Sequence, residues 1–86
     1  MPTLFIIFGL RFYFWSREHN PIHIHVEKGD GVAKFVIEPE IRLLENHGLK
    51  PNDLKLAESI IEENREVIIE HWFEFFGNDP ASTTKK

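Results

Sequence analysis

The chain predicts an α+β domain: a four- to five-stranded, mainly antiparallel sheet with one long C-terminal helix packed on one face. Three observations predict it. Leu10 to Trp15 and Ile22 to Glu27 alternate side chains with period two, and aromatic and β-branched residues are frequent there. From Pro51 the apolar spacing changes to i, i+3, i+4, i+7. Between these regions, Gly and Asn-Pro signals punctuate the chain at short intervals.

Thr3 to Phe8 is a short apolar run, and Gly9 marks a bulge or tight turn. Leu10 to Trp15 alternates, with Leu10, Phe12 and Phe14 on one face and Arg11, Tyr13 and Trp15 on the other. Ser16 to Pro21 is a connection broken by Asn20-Pro21, since proline lacks an N–H and disfavours helical geometry at the residue before it. Ile22 to Glu27 alternates again: Ile22, Ile24 and Val26 face one way, His23, His25 and Glu27 the other. Lys28-Gly29-Asp30-Gly31 turns the chain, and Val32 to Glu38 returns. An Asp30-Gly31 loop sets Glu27 opposite Lys34, His25 opposite Val36 and His23 opposite Glu38. A Gly29-Asp30 loop keeps the same faces but sets His25 opposite Lys34. The first is preferred here because it aligns opposite charges.

Pro39 ends that strand, Ile41 to Leu44 suggests a fifth, and Asn46-His47-Gly48 reads as a turn. The helix begins with Pro51 in its first turn or Asn52 as its cap, and runs to about Phe76, with a break near Asn64 left open. Its expected buried stripe is Leu54, Ala57, Ile61, Ile68, Trp72 and Phe75, flanked by Ile60, Val67 and His71. Ile69, Phe73 and Phe76 form a second apolar flank. Residues 1–78 form one domain, and 79–86 read as a disordered tail.

With 86 residues, 42% of them hydrophobic and 13% aromatic, the chain has more apolar surface than a sheet with one helix readily covers. Tyr13, Trp15, Ile69, Phe73 and Phe76 are therefore read as an interaction surface, for another small protein or a second copy. There is no cysteine, which excludes disulfides and thiolate metal sites. Met1 to Phe8 lacks a basic leader and a cleavage site and reads as a strand, and no stretch approaches a membrane span; a cytoplasmic protein is expected. The net charge of −4 disfavours nucleic acid as a direct ligand.

The densest chemistry lies in Glu18-His19-Asn20-Pro21-Ile22-His23-Ile24-His25. A His-x-His pair on a strand places two imidazoles on one face, roughly 7 Å apart at the backbone. With His19 as a third ligand, and Glu18 or Glu38 as a carboxylate, the set suits a divalent ion such as zinc. His23 facing Glu38 suggests an imidazole–carboxylate pair for proton transfer. Against both stands the plainer reading of half-buried histidines in a locally hydrogen-bonded loop. Asn64 on the helix's apolar stripe is expected to be satisfied by backbone, and Arg65 to lie along the helix in solvent.

Phe8-Gly9-Leu10-Arg11, the Glu18–His25 segment and the later Asn64-Arg65-Glu66 through His71-Trp72 resemble a small prokaryotic domain of unknown function with an EHNPPHFH-type signature. The likeness runs from Met1 to Trp72. It departs at Ile22, where a second proline is usual, and at Asn64, where histidine is frequent, so Asn64 is not expected to be an obligatory ligand. The resemblance implies a small cytosolic protein often encoded beside a second small protein, in a toxin–antitoxin-like pair. Two function classes stand at this point: an interaction module of such a pair, and a metal-dependent hydrolase or nuclease using His19, His23 and His25.

Overall fold

A computed structural model describes residues 3–14 and 21–76. Trp15, Glu18, His19, Asn20 and the 79–86 tail, like the domain boundary at 78, lie outside the described residues.

Five strands form one antiparallel sheet in chain order: β1 (Thr3–Ile7), β2 (Leu10–Tyr13), β3 (His23–Lys28), β4 (Gly31–Val36) and β5 (Arg42–His47). β1 and β2 are joined by Phe8-Gly9, with φ of 54° and 79°. Two positive φ values in a two-residue loop are those of a type I′ turn, whose twist matches the strands it joins. Phenylalanine is costly at its first position: its Cβ crowds the backbone, at about 1–2 kcal/mol. The residue is also 74% exposed.

The β3–β4 register corrects the preferred alignment. Lys28 pairs with Gly31, His25 with Lys34 and His23 with Val36, so Gly29-Asp30 is the loop. Gly29 has φ of 58° and Asp30 has no positive φ. That pattern fits a type II′ turn, which asks for glycine first. Glu27 finds its cation in the other neighbour: Arg11 of β2, directly opposite, bonds its carboxylate.

β4 to β5 is longer than expected at its far end. β5 runs through Asn46 and His47, and the turn comes at Gly48 (φ 102°). Asn46 clasps the chain there: its Oδ1 accepts from Leu49 N (3.0 Å) and its Nδ2 donates to Leu49 O (3.1 Å). Gly31 is needed opposite, since a Cβ would stand 2.8 Å from the Gly48 backbone.

Two helices replace the single long one: α1 (Pro51–Glu63) and α2 (Arg65–Phe76). Pro51 occupies the first turn, where its missing N–H costs nothing, and Lys50 is the cap position. The break is Asn64 (φ −112°), whose Nδ2 donates to Ile60 O at 2.8 Å. A side chain bonding back to the preceding turn bends a helix. The break re-phases α2. Ile68 and Trp72 are buried, with Ile69, Phe73 and Phe76 packed partly buried beside them. Val67 and Phe75, expected at or beside the buried stripe, are 43% and 50% exposed. The flank read as spare therefore faces the core.

The core lies between the helices and one sheet face: Leu10, Phe12, Phe14, Ile24, Val26, Phe35 and Ile37 against Ala57, Ile61, Ile68 and Trp72. Phe14 meets Trp72 edge-on at 5.3 Å. Each large side chain buried here contributes about 1.5–3 kcal/mol. Among the described residues no helix is long and apolar enough to cross a membrane.

Candidate functional site

Period-two alternation sends Arg11, Tyr13, His23, His25 and Glu27 to the face away from the core. They form a continuous column. The Arg11 guanidinium lies 4.5 Å over the Tyr13 ring. Tyr13 stacks on His25 at 5.4 Å and 19°. His25 meets His23 at 5.7 Å and 70°, and His23 meets Trp72 at 5.5 Å. Tyr13, His23 and His25 are all buried, at 4%, 7% and 8% exposure. Burial pushes the Tyr13 hydroxyl's pKa up, the Glu27 carboxylate raises it further, and Arg11 opposes both.

His23 is oriented by the backbone: its Nδ1 donates to Pro21 O at 2.7 Å. A carbonyl only accepts, so Nδ1 is the donor and carries a proton. This is how metal-ligating and proton-accepting histidines are commonly held. An ion bound at about 2 Å by two imidazoles keeps the ring centres roughly 5–6 Å apart, and the His23–His25 spacing of 5.7 Å fits. Among the described residues no three His, Asp or Glu side chains gather to hold an ion. His19, the expected third ligand, lies outside the described residues, as do Glu18 and Asn20.

Glu38 does not face His23 as expected, because Val36 is opposite. Its carboxylate is held by Arg65, at 2.8 Å, so Arg65 is an ion-pair partner and not a side chain lying in solvent. Asn64 is satisfied by backbone as expected. Of the expected interaction surface, Tyr13 is buried in the column, and Ile69, Phe73 and Phe76 pack on the core; Trp15 lies outside the described residues. Among the described residues the exposed large apolar side chains are instead Ile6 and Phe8, Leu43 and Leu44, Val67 and Phe75. Arg11 was not singled out as a site residue, although its alternation with Tyr13 was a visible signal.

A family profile described as a domain of unknown function, DUF4160, matches residues 9–73. The chain belongs to the DUF4160 family. The DUF4160 match spans β2 through most of α2, and so contains the whole Arg11–Tyr13–His25–His23–Trp72 column. β1 lies before it. No curated protein and no solved structure matches the chain.

Proposed function

We propose that the protein is a cytoplasmic protein-interaction module, one half of a toxin–antitoxin-like pair, with a small protein as its partner. The observation that carries this is β5. All six of its residues are exposed at the edge of the sheet, with Leu43 and Leu44 at 42% and 46% among Arg42, Glu45 and His47. Adjacent leucines framed by charge of both signs suit a partner chosen by charge and held by apolar contact. The pairing with a neighbouring gene that the resemblance implies agrees with this reading. Nucleic acid is a poorer fit, since Glu58, Glu62, Glu66, Glu70 and Glu74 are exposed along the helices. The test is co-expression of the tagged chain with the product of the adjacent small gene. A stoichiometric complex, lost in a Leu43→Lys, Leu44→Lys variant, is expected; failure to copurify overturns the reading.

A second reading, a metal-dependent enzyme of the hydrolase or nuclease type, draws on the oriented His23 and its spacing from His25. In it His19, His23 and His25 hold a divalent ion such as zinc, which would supply an activated water. Calorimetric titration of the tag-free chain with zinc decides it. Submicromolar binding abolished by His23→Ala, His25→Ala supports the enzyme, and absence of heat removes it.

A further inference from the structure

We propose that the outer edge of β1 pairs, antiparallel and about a two-fold axis through Ile6, with β1 of a second copy of this chain. This is independent of the function proposed above, which uses the opposite edge of the sheet.

The argument begins at the turn. Ile7 and Leu10 flank the two-residue loop Phe8-Gly9. In such a hairpin the flanking pair exchanges both backbone hydrogen bonds, so the N–H and C=O of Ile7 point at β2. Ile6, one residue earlier, directs its own N–H and C=O the other way, to the edge of the sheet that no described strand pairs. A two-fold axis through Ile6 lets the two copies of that residue exchange both hydrogen bonds. No other chain is needed to satisfy them.

The side chains agree with this register. It places Phe5 opposite the second copy's Ile7 and Ile7 opposite the second copy's Phe5. Phe5 and Ile7 pair with Phe12 and Leu10, on the helix-covered face, and both pack on the core. Ile6 pairs with Arg11 on the other face and is 64% exposed. Faces therefore match across the axis, and the product is a ten-stranded sheet with both pairs of helices on one side. Phe8, 74% exposed in its unfavourable conformation, falls opposite the second copy's Leu4. Leu4, already partly buried against the core, offers it an apolar neighbour.

Charge selects the occupant. A two-fold axis sets identical residues against each other, so any charge near it meets its like. Thr3 to Gly9 contains none, and no proline. An uncharged, apolar edge strand is a template for strand addition, and the symmetric occupant is the one to which its backbone is complementary. β1 precedes the residues shared with the family, so the inference concerns this chain.

The experiment is sedimentation velocity on the full chain over a concentration series reaching the millimolar range. Wild type is expected to pass from 10.1 kDa to twice that mass. Ile6→Pro removes only the outward N–H and is expected to stay monomeric with an unchanged circular dichroism spectrum. Ile6→Lys places two cations on the axis and is also expected to stay monomeric; it decides the matter if the proline variant unfolds. Leu44→Lys, on the opposite edge, should dimerise as wild type does. The proposal is overturned if wild type stays monomeric throughout, if the dimer survives Ile6→Lys, or if Leu44→Lys abolishes it. A wild type that pairs through β1 only with a different protein also overturns it.

Discussion

β1 and β5 both end the sheet, yet they manage an open edge differently. β5 carries Arg42, Glu45 and His47, and a bulge at Leu44 interrupts its register with β4. Charge and bulges discourage indiscriminate strand addition. β1 carries no charge; it has a bulge of its own at Leu4, two residues before Ile6, so charge and not the bulge is what separates the two edges. The two edges are also held differently. β5 is fixed by a backbone contact between Gly31 and Gly48 and by the Asn46 clasp on Leu49. β1 is fixed by a strained turn and by Arg11, whose Nε donates to Thr3 Oγ1 at 3.0 Å. The lesson is that a sheet can keep one edge selective and leave the other self-complementary.

Substitutions that touch the two edges sharpen this contrast, and the largest effect falls at Gly31 of β4, whose backbone meets Gly48 just after β5. Gly31→Val drives a side chain into the Gly48 backbone and should destabilise by about 3 kcal/mol in urea denaturation. At β1, Ile7→Pro removes a ladder donor and should cost about 2 kcal/mol, whereas Ile6→Pro should cost less than about 1 kcal/mol. Equal losses for the two prolines would break the assignment of inward and outward backbone groups. Phe8→Asn should stabilise the monomer by about 0.5–1 kcal/mol, because asparagine tolerates the left-handed conformation of a type I′ turn. A loss of stability there would mean that the Phe8 ring contributes to the fold. Smallest of all, Leu44→Lys should leave the unfolding free energy within about 0.5 kcal/mol of wild type, since its side chain packs little. Its effect belongs to partner capture, read by copurification.

Much of the sheet was legible. Alternation placed Leu10, Phe12, Ile24 and Val26 on the core face and the histidines opposite, and the structure keeps that division. The β3–β4 register was not legible, because both loops preserve the faces and differ only in what stands across. The choice made from charge failed since Glu27 had two neighbouring strands to draw from, and its cation came from β2. The helix showed a similar limit. The length of the helix left a break near Asn64 open and the stripe placed Ile68 and Trp72 in the core, but neither showed the rotation that exposes Val67 and Phe75 and turns Ile69, Phe73 and Phe76 inward. Of the site, the His23–His25 pair was visible in its spacing. The Pro21 carbonyl that orients His23, and the Arg65 that claims Glu38, were not.

By itself the sequence determined which stretches are strand and which are helical, and which face of β2 and β3 is apolar; it brought the turns to within a residue or two. These are local properties, set by side-chain period, proline, glycine and asparagine over a few residues. Tertiary structure decided what crosses from one element to another: the partner of Glu27, the phase of α2, the stacking of Arg11, Tyr13 and the histidines, and the exposure of Ile6 and Phe8. The physical reason is that near-equal local solutions differ only in long-range contacts. Those contacts exist only once strands and helices have packed, and the whole core then selects among them.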